Sequence, residues 1–216
     1  MISQKQIELI SLYQQMAEQG VNRGPAKQSD SPIPSDYSLM NIRMFKGMVK
    51  PLFQEFAIRT VLDYGSGNTS WDSPDFDGTE SAKQFFGLDH VVQYEPSMGL
   101  NDLTPCDAVV SFDVLEHIFL ADISSAVWDL FAHAKKLVVV NIACYKARAI
   151  LPNGENAHIT VRPPTWWKGV FDTIASAFPE VTYKVYASTS FGKAQEFPAT
   201  SMAKVLTDPG FTRPIP

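Results

Sequence analysis

The chain has 216 residues, of which 45% are hydrophobic and 19% charged, and its formal net charge is −5. This composition is that of a globular protein large enough for one domain with a sizeable core. The acidic balance argues against tight, sequence-independent binding of nucleic acid, which needs a basic surface. No apolar stretch reaches the roughly 18 residues that span a bilayer, and the polar N-terminus does not resemble a signal peptide. The two cysteines are too few for a disulfide framework or a structural zinc site. We therefore expect a cytoplasmic protein without a membrane or nucleic-acid partner.

Two helices are predicted before the first strand. Residues 3–19 show helical periodicity and begin with a capping box at Ser3. Residues 21–36 are rich in Pro, Ser and Asp, which is typical of a loop. Residues 38–57 are again helical in pattern, and Pro51 predicts a kink or a split there.

The rest of the chain alternates between strands and helices. Apolar runs predict strands at 60–64, 90–96, 107–112 and 135–143, and helical patterns lie at 79–87, 121–134 and 165–178. The runs VTYKVYAST and TSMAKVLT predict an antiparallel closing pair. This alternation predicts a mostly parallel, doubly wound α/β sheet.

A short connection limits the number of strands. Only 11 residues, 96–106, separate the second strand from the third, and a parallel crossover takes a dozen or more. We therefore expect six strands, with the second strand at the edge of the sheet. The whole chain, 1–216, is expected to be one domain, with an N-terminal helical cap at 1–57 and the core at 58–216.

The turn after the first strand, in VLDYGSGNTSW, contains Gly65 and Gly67. Glycine tolerates positive φ and allows a ligand to approach the backbone, and such a turn at the carboxyl end of a strand commonly forms a nucleotide cleft. The third glycine of the dinucleotide fingerprint is missing, so the turn alone is equally compatible with a tight structural connection. Glu95 ends the second strand, where a carboxylate can bind ribose hydroxyls or simply be solvated.

Four stretches, VLDYGSGNTSW, QYEPS, CDAVVSFDVLEHI and LVVVNIA, together resemble the motif series of class I S-adenosylmethionine-dependent methyltransferases. The Asp-Val-Leu-Glu-His-Ile run is the most characteristic of them. YSLMNIRMF and LPNGENAHITVRPPTWW extend the resemblance to a poorly characterised branch found in phages and bacteria, over roughly residues 37–168. The resemblance implies a Rossmann-like methyltransferase fold, S-adenosylmethionine as the cofactor, and methyl transfer to an acceptor that the sequence does not name. We expect that acceptor to be a small molecule or another nucleophile that is not nucleic acid.

The resemblance also implies roles for residues at three strand ends. The cofactor-binding positions that it marks are Asp63, Gly65, Ser66 and Gly67 under the amino-acid end, Glu95 and Pro96 at the ribose, and Phe112, Asp113 and Val114 facing the methionine and methyl group. Two departures accompany it. Asn68 stands where that branch often has Lys, and the strand that usually carries an adenine-side acid is expected to be absent. Adenine contacts would then fall to the connecting loop, at Asn101, Asp102 and Leu103.

His117, Asn156 and His158 are the candidate catalytic residues. His117 follows the third strand, and the other two lie in the polar loop after the fourth. The ends of parallel neighbouring strands share one edge, so these residues are expected to gather there, and a histidine near neutral pKa suits general-base work. His158 equally suits a loop-fixing hydrogen bond. Trp166 and Trp167 are expected at the same mouth as an apolar wall, or in the core. No metal site is predicted.

Other interpretations remain open. The Arg-Pro-Pro-Thr-Trp run at 162–166 looks like the Pro-Pro-aromatic motif of base methyltransferases, but it follows a different strand, and a helix start capped by Thr165 is favoured. A second hypothesis is a non-catalytic S-adenosylmethionine-binding module that regulates or sequesters. A third, a nicotinamide-dependent oxidoreductase, lacks the third glycine of its turn.

Overall fold

The computed structural model of the protein describes residues 2–20, 39–68, 70–74, 76–190 and 193–198. The helices are α1 (Gln4–Gln19), α2 (Met40–Glu55), α3 (Ala82–Phe86), α4 (Ile123–Ala132) and α5 (Pro164–Ala175). The strands are β1 (Thr60–Tyr64), β2 (His90–Glu95), β3 (Leu100–Asn101), β4 (Cys106–Phe112), β5 (Ala134–Ala143), β6 (Thr182–Ser190) and β7 (Lys193–Pro198).

The strands form one sheet in the order β3-β2-β1-β4-β5-β6-β7. The five central strands, β2-β1-β4-β5-β6 in spatial order, are parallel. At the two edges, β3 pairs antiparallel with β2, and β7 pairs antiparallel with β6. This confirms the predicted mostly parallel, Rossmann-like sheet with an antiparallel C-terminal strand. Five of the six predicted strands correspond to β1, β2, β4, β5 and β6; the sixth long strand, β7, lies at 193–198, before the predicted TSMAKVLT run, and β3 adds a two-residue strand at the edge.

The short connection after β2 explains β3. A 3-10 turn at Pro96–Met98 ends at Gly99, whose φ of +74° reverses the chain. The two residues of β3 then run back along Tyr94 and Glu95 instead of crossing to a parallel position. The connection is therefore a turn, and no parallel strand lies outside β2 in the described part of the chain.

Helices cover both faces of the sheet. Val61 points to the layer that contains α2 and α3, and its neighbour Leu62 points to the layer that contains α4 and α5. Val138 and Val139 of β5 divide in the same way, because successive side chains of a strand point to opposite faces. Burial on both faces accounts for the unbroken apolar runs that predicted these strands. Pro51 lies inside α2, so this predicted helix is not split in two.

The N-terminal helix α1 is attached to the loops at the carboxyl edge of the sheet. Ser3 caps the helix by accepting the N–H of Gln6 and also donates its hydroxyl to Asp122. The Gln6 side chain accepts the N–H of Phe119 at 2.7 Å, so the reciprocal half of the predicted capping box is replaced by a tertiary contact. The buried side chains of α1 form a third apolar cluster with the loop after β5: Leu9, Leu12 and Met16 with Leu151 and Ala157.

Two predicted segments, the loop at 21–36 and the TSMAKVLT strand at 200–207, lie outside the described residues. The antiparallel partner of β6 within the described ranges is β7. None of the helices in those ranges combines the length and the apolar character needed to span a bilayer.

Candidate functional site

The turn after β1 is built for close approach of backbone. Gly65 has φ of +85°, and a Cβ placed there would lie 2.4 Å from both Cγ atoms of Val114. Its N–H donates to the carbonyl of Tyr94 at 2.8 Å. Both the backbone angle and the contact with the loop after β4 therefore disfavour a side chain at Gly65, which explains why a glycine follows the strand.

Glu95 joins β2 to this turn. Its Oε2 accepts the N–H of Gly67 at 3.2 Å, and its Oε1 accepts the N–H of Ser97 at 3.1 Å and the hydroxyl of Ser97 at 2.5 Å. An ionised carboxylate offers about four acceptor sites. Glu95 therefore holds the turn in place, and with three hydrogen bonds already accepted it has about one acceptor site left for a ligand hydroxyl.

Asp63 lies behind the turn. Its side chain is buried and accepts the indole N–H of Trp71 at 2.7 Å. Burial raises the pKa of Asp63 to about 7, because water no longer solvates the charged form. The contact anchors the chain that follows the turn, and Trp71 is a partner that sequence reasoning missed.

A cavity of about 400 Å³ lies beside the glycine turn, within the roughly 300–1,000 Å³ range of small-molecule sites. One wall comes from the C-terminal half of α1 and the other from the ends of β1 and β2. Its lining residues are Gln14, Ala17, Glu18, Asn68, Pro96, Ser97, Met98 and Gly99. Of the predicted cofactor-binding residues, only Pro96 lines this cavity. The participation of α1 follows from tertiary contacts and has no signal in the sequence.

The end of β4 is held in an unusual backbone conformation. Asp113 has φ of +61°, which is uncommon for a residue other than glycine. Its N–H donates to the carbonyl of Asn141 at 3.0 Å, and its carboxylate accepts the side-chain amide of Asn41 at 3.2 Å. Phe112, one residue earlier, packs on Phe45 of α2 with ring centroids 5.6 Å apart. A non-glycine residue held at positive φ is often part of a functional site.

The two predicted histidines meet at this end of the sheet. The rings of His117 and His158 have centroids 4.9 Å apart. Nδ1 of His117 lies 2.8 Å from the carbonyl of Ala157, and Nδ1 of His158 lies 2.5 Å from the carbonyl of Tyr145. A carbonyl only accepts, so both rings carry their proton on Nδ1 and leave Nε2 with a free lone pair.

A general-base role is disfavoured for His117. Burial, and then the neighbouring His158, lower the pKa of His117 to about 4. A base of that pKa drives proton transfer weakly at neutral pH. The ring is better suited to accept a hydrogen bond or to coordinate a cation. Three side chains each place one ligand atom within 4.8 Å of the other two: His117, His158 and Asp113.

The side chain of Asn156 forms hydrogen bonds within its own loop. Its side-chain oxygen accepts the N–H groups of Ala147 at 3.0 Å and His158 at 3.1 Å, and its amide donates to the carbonyl of Ala147 at 2.8 Å. These contacts favour a role in holding the loop over the predicted catalytic role. Tyr13 of α1 donates to the carbonyl of Ala157 at 2.6 Å and so fixes the same loop from the other side.

Glu116 is a residue of this site that sequence reasoning missed. It is fully buried, its Oε1 accepts the N–H of Ala143, and its Oε2 has no hydrogen-bond partner among the described residues. Burial raises the pKa of Glu116 well above its ordinary value, and the Asp113 carboxylate raises it further. The run Asp-x-x-Glu-His at a strand end places Glu116 next to His117 in the sequence, but it does not indicate that the carboxyl group is buried.

The remaining predicted residues are the two indoles at the start of α5 and the residues between β3 and β4. Trp167 is fully buried in the core that contains α4 and α5, so the expectation that both indoles form an apolar wall at the mouth is wrong for Trp167. Trp166 packs against the same core while partly exposed. Leu103 also packs there, and the exposed carboxylate of Asp102 accepts from Thr104.

No protein-family model, curated protein or solved structure matches this chain. The fold and the geometry of the strand ends are therefore the basis on which a function is assigned.

Proposed function

We propose that this protein binds S-adenosylmethionine and transfers its methyl group to an acceptor. The observation that carries the proposal is the contact between Glu95 and the Gly65–Gly67 turn at the carboxyl edge of a Rossmann-like sheet. Ligands of open α/β sheets sit at this edge. The motif resemblance of the same residues supports S-adenosylmethionine as the ligand.

Each part of the ligand has a matching element. The remaining acceptor site of Glu95 suits one ribose hydroxyl, and the cavity beside Pro96 offers room for the adenosine half. Gly65 allows the amino-acid half to lie against the backbone without a Cβ between them. The methyl group would then face Asp113 and the histidine pair at the end of β4.

The transfer itself requires little covalent chemistry from the protein. The acceptor's lone pair forms a bond to the methyl carbon while the carbon–sulfur bond breaks, and S-adenosylhomocysteine leaves as a neutral thioether. Any proton of the acceptor passes to solvent or a nearby base. The sulfonium is already electrophilic, so the protein mainly holds the acceptor in line with it. Such positioning lowers a barrier by up to about 7–11 kcal/mol.

Calorimetric titration with S-adenosylhomocysteine tests the proposal. We expect micromolar binding to the wild type and a loss of about 10- to 100-fold for Glu95→Gln, since hydrogen bonds to charged groups contribute roughly 1.5–3 kcal/mol. The matched control is Glu80→Gln, which changes an exposed glutamate in the same way and should leave affinity unchanged. Equal affinity for the Glu95 variant, or preferred binding of a nicotinamide dinucleotide, contradicts the proposal.

A second candidate function is binding of the same ligand without transfer. The low pKa of His117 and the engagement of Asn156 within its loop favour it, because neither side chain is then suited to take a proton from an acceptor. Transfer of a labelled methyl group to any of a panel of acceptors rules this candidate out. Stoichiometric binding with no transfer across oxygen, nitrogen and sulfur acceptors supports it.

A further inference from the structure

The cluster of Asp113, His117 and His158 has the composition of a metal-binding site. One ligand atom of each lies within 4.8 Å of the other two. An ion about 2.0–2.2 Å from each ligand would draw these atoms to roughly 3–3.6 Å apart. The required adjustment is at most roughly 1–2 Å, and Asp113 and His158 sit in loops that follow strands.

Both imidazoles are oriented as metal ligands are. A histidine that binds a metal through one nitrogen nearly always donates its other N–H to a carbonyl or carboxylate. His117 donates from Nδ1 to Ala157, and His158 donates from Nδ1 to Tyr145. Each of these carbonyls belongs to the long loop after β5, and Tyr13 donates to one of them from α1. The outer contacts therefore fix the tautomer that leaves Nε2 available.

Glu116, the residue before His117, also carries a buried carboxyl group. Glu116 is fully buried, and its Oε2 has no partner among the described residues. Glu116 is not among the three residues whose ligand atoms lie within 4.8 Å of one another. The proposed site therefore consists of the Asp113 carboxylate and the two imidazoles.

We propose that Asp113, His117 and His158 bind a divalent first-row transition-metal ion. Two imidazoles and one carboxylate suit Zn²⁺, Fe²⁺ or Mn²⁺ and disfavour Mg²⁺ and Ca²⁺, which take oxygen ligands. An ion held by three protein groups keeps open positions, where a water molecule or a hydroxyl group becomes more acidic. The site lies beside the proposed methyl position, but metal binding does not depend on the proposed function.

Titration of chelator-treated protein with Zn²⁺, followed by calorimetry without any cofactor, tests the proposal. We expect one equivalent of Zn²⁺ per chain, with Mg²⁺ at least about tenfold weaker. Co²⁺ should bind with the intense visible absorption of a four- or five-coordinate site. Absence of a stoichiometric Zn²⁺ site overturns the proposal. S-adenosylhomocysteine binding is measured separately on the metal-free protein, so failure of one proposal is distinguishable from failure of the other.

Three substitutions locate the ion. His158→Asn keeps an amide donor near the Nδ1 position and removes Nε2, and Asp113→Asn removes a charge with a residue that tolerates positive φ. Each should weaken Zn²⁺ binding by at least about tenfold. His133→Asn is the matched control, because His133 also donates from Nδ1 to a backbone carbonyl, at 2.7 Å from Asp129, but lies outside the cluster. It should leave binding unchanged.

The outcomes are decisive in either direction. Equal weakening by His133→Asn, or full affinity in both cluster variants, assigns the ion to the surface and overturns the proposal. If circular dichroism shows that His158→Asn does not fold, Asp113→Asn alone decides, since its backbone conformation is preserved. Full Zn²⁺ affinity in a folded Asp113→Asn variant then overturns the proposal.

Discussion

Substitution of Gly65 by alanine tests the central geometric feature of the site. The new Cβ would lie 2.4 Å from both Cγ atoms of Val114, and φ at this position is +85°. Positive φ costs an alanine about 1–2 kcal/mol, and overpacking costs about 1–3 kcal/mol more. The free energy of unfolding should therefore fall by about 2–5 kcal/mol, the sum of these two costs.

A second glycine separates the two costs. Gly78 also has positive φ, at +68°, but a Cβ there meets nothing within 4 Å. Gly78→Ala carries only the backbone cost, and both variants share the same gain from a stiffer unfolded chain. Urea unfolding followed by tryptophan fluorescence should place Gly65→Ala about 1–3 kcal/mol below Gly78→Ala, which is the overpacking cost alone.

A double variant identifies the contact. Val114→Ala removes the two Cγ atoms and leaves its Cβ at 3.0 Å from the new methyl group. Gly65→Ala should therefore cost less in a Val114→Ala background, with a coupling free energy of about 1–3 kcal/mol. If Gly65→Ala is no worse than Gly78→Ala, or if Val114→Ala gives no relief, the close approach of the two loops is refuted.

Three further predictions concern buried groups. Because the pKa of Asp63 is raised to about 7 in the folded protein, the unfolded chain ionises first, and stability falls as pH rises from about 4 to 7. Asp63→Asn retains an acceptor for Trp71 and should remove this fall, which is at most about 4 kcal/mol; unchanged pH dependence of urea midpoints contradicts it. Trp167→Phe removes an indole N–H without a partner among the described residues. It should lower the free energy of unfolding by less than about 1.5 kcal/mol, against about 3–5 kcal/mol for Trp167→Ala. Equal urea midpoints for the two variants contradict this. His117→Ala should lower methyl transfer, because it removes a ring suited to accept a hydrogen bond or hold a cation beside the proposed methyl position. S-adenosylhomocysteine affinity should stay within a few-fold, and a parallel loss of affinity would place His117 in the cofactor site instead.

The elements that local pattern predicts are the buried strands. The run KKLVVVNIA is apolar on both faces of the sheet, so it indicated β5 without knowledge of its neighbours. The glycine turn after β1 and Glu95, the last residue of β2, were likewise predictable as neighbours, because these two strand ends meet at one edge of the sheet. Their contact, from Gly67 to Glu95, is observed.

What the sequence did not predict depends on contacts between distant segments. Gly65 must be a glycine partly because Val114 lies against it, 49 positions along the chain. The role of α1 as a wall of the cavity and an anchor for the loop after β5 depends on Tyr13 and Gln6, whose partners are more than 100 residues away. Glu116 and Trp71 were likewise hidden, because burial of a polar group cannot be read from its neighbours in sequence.

The most direct test of the proposed cofactor site is a crystal structure of the chain with S-adenosylhomocysteine. We expect a ribose hydroxyl within hydrogen-bond distance of the Glu95 carboxylate, the amino-acid end over Gly65, and the sulfur facing Asp113. His158 should then lie within about 10 Å of the sulfur, so that an acceptor can occupy the space between them. A crystal in which the ligand avoids the Gly65–Gly67 turn, or in which only a nicotinamide dinucleotide binds there, would contradict the account.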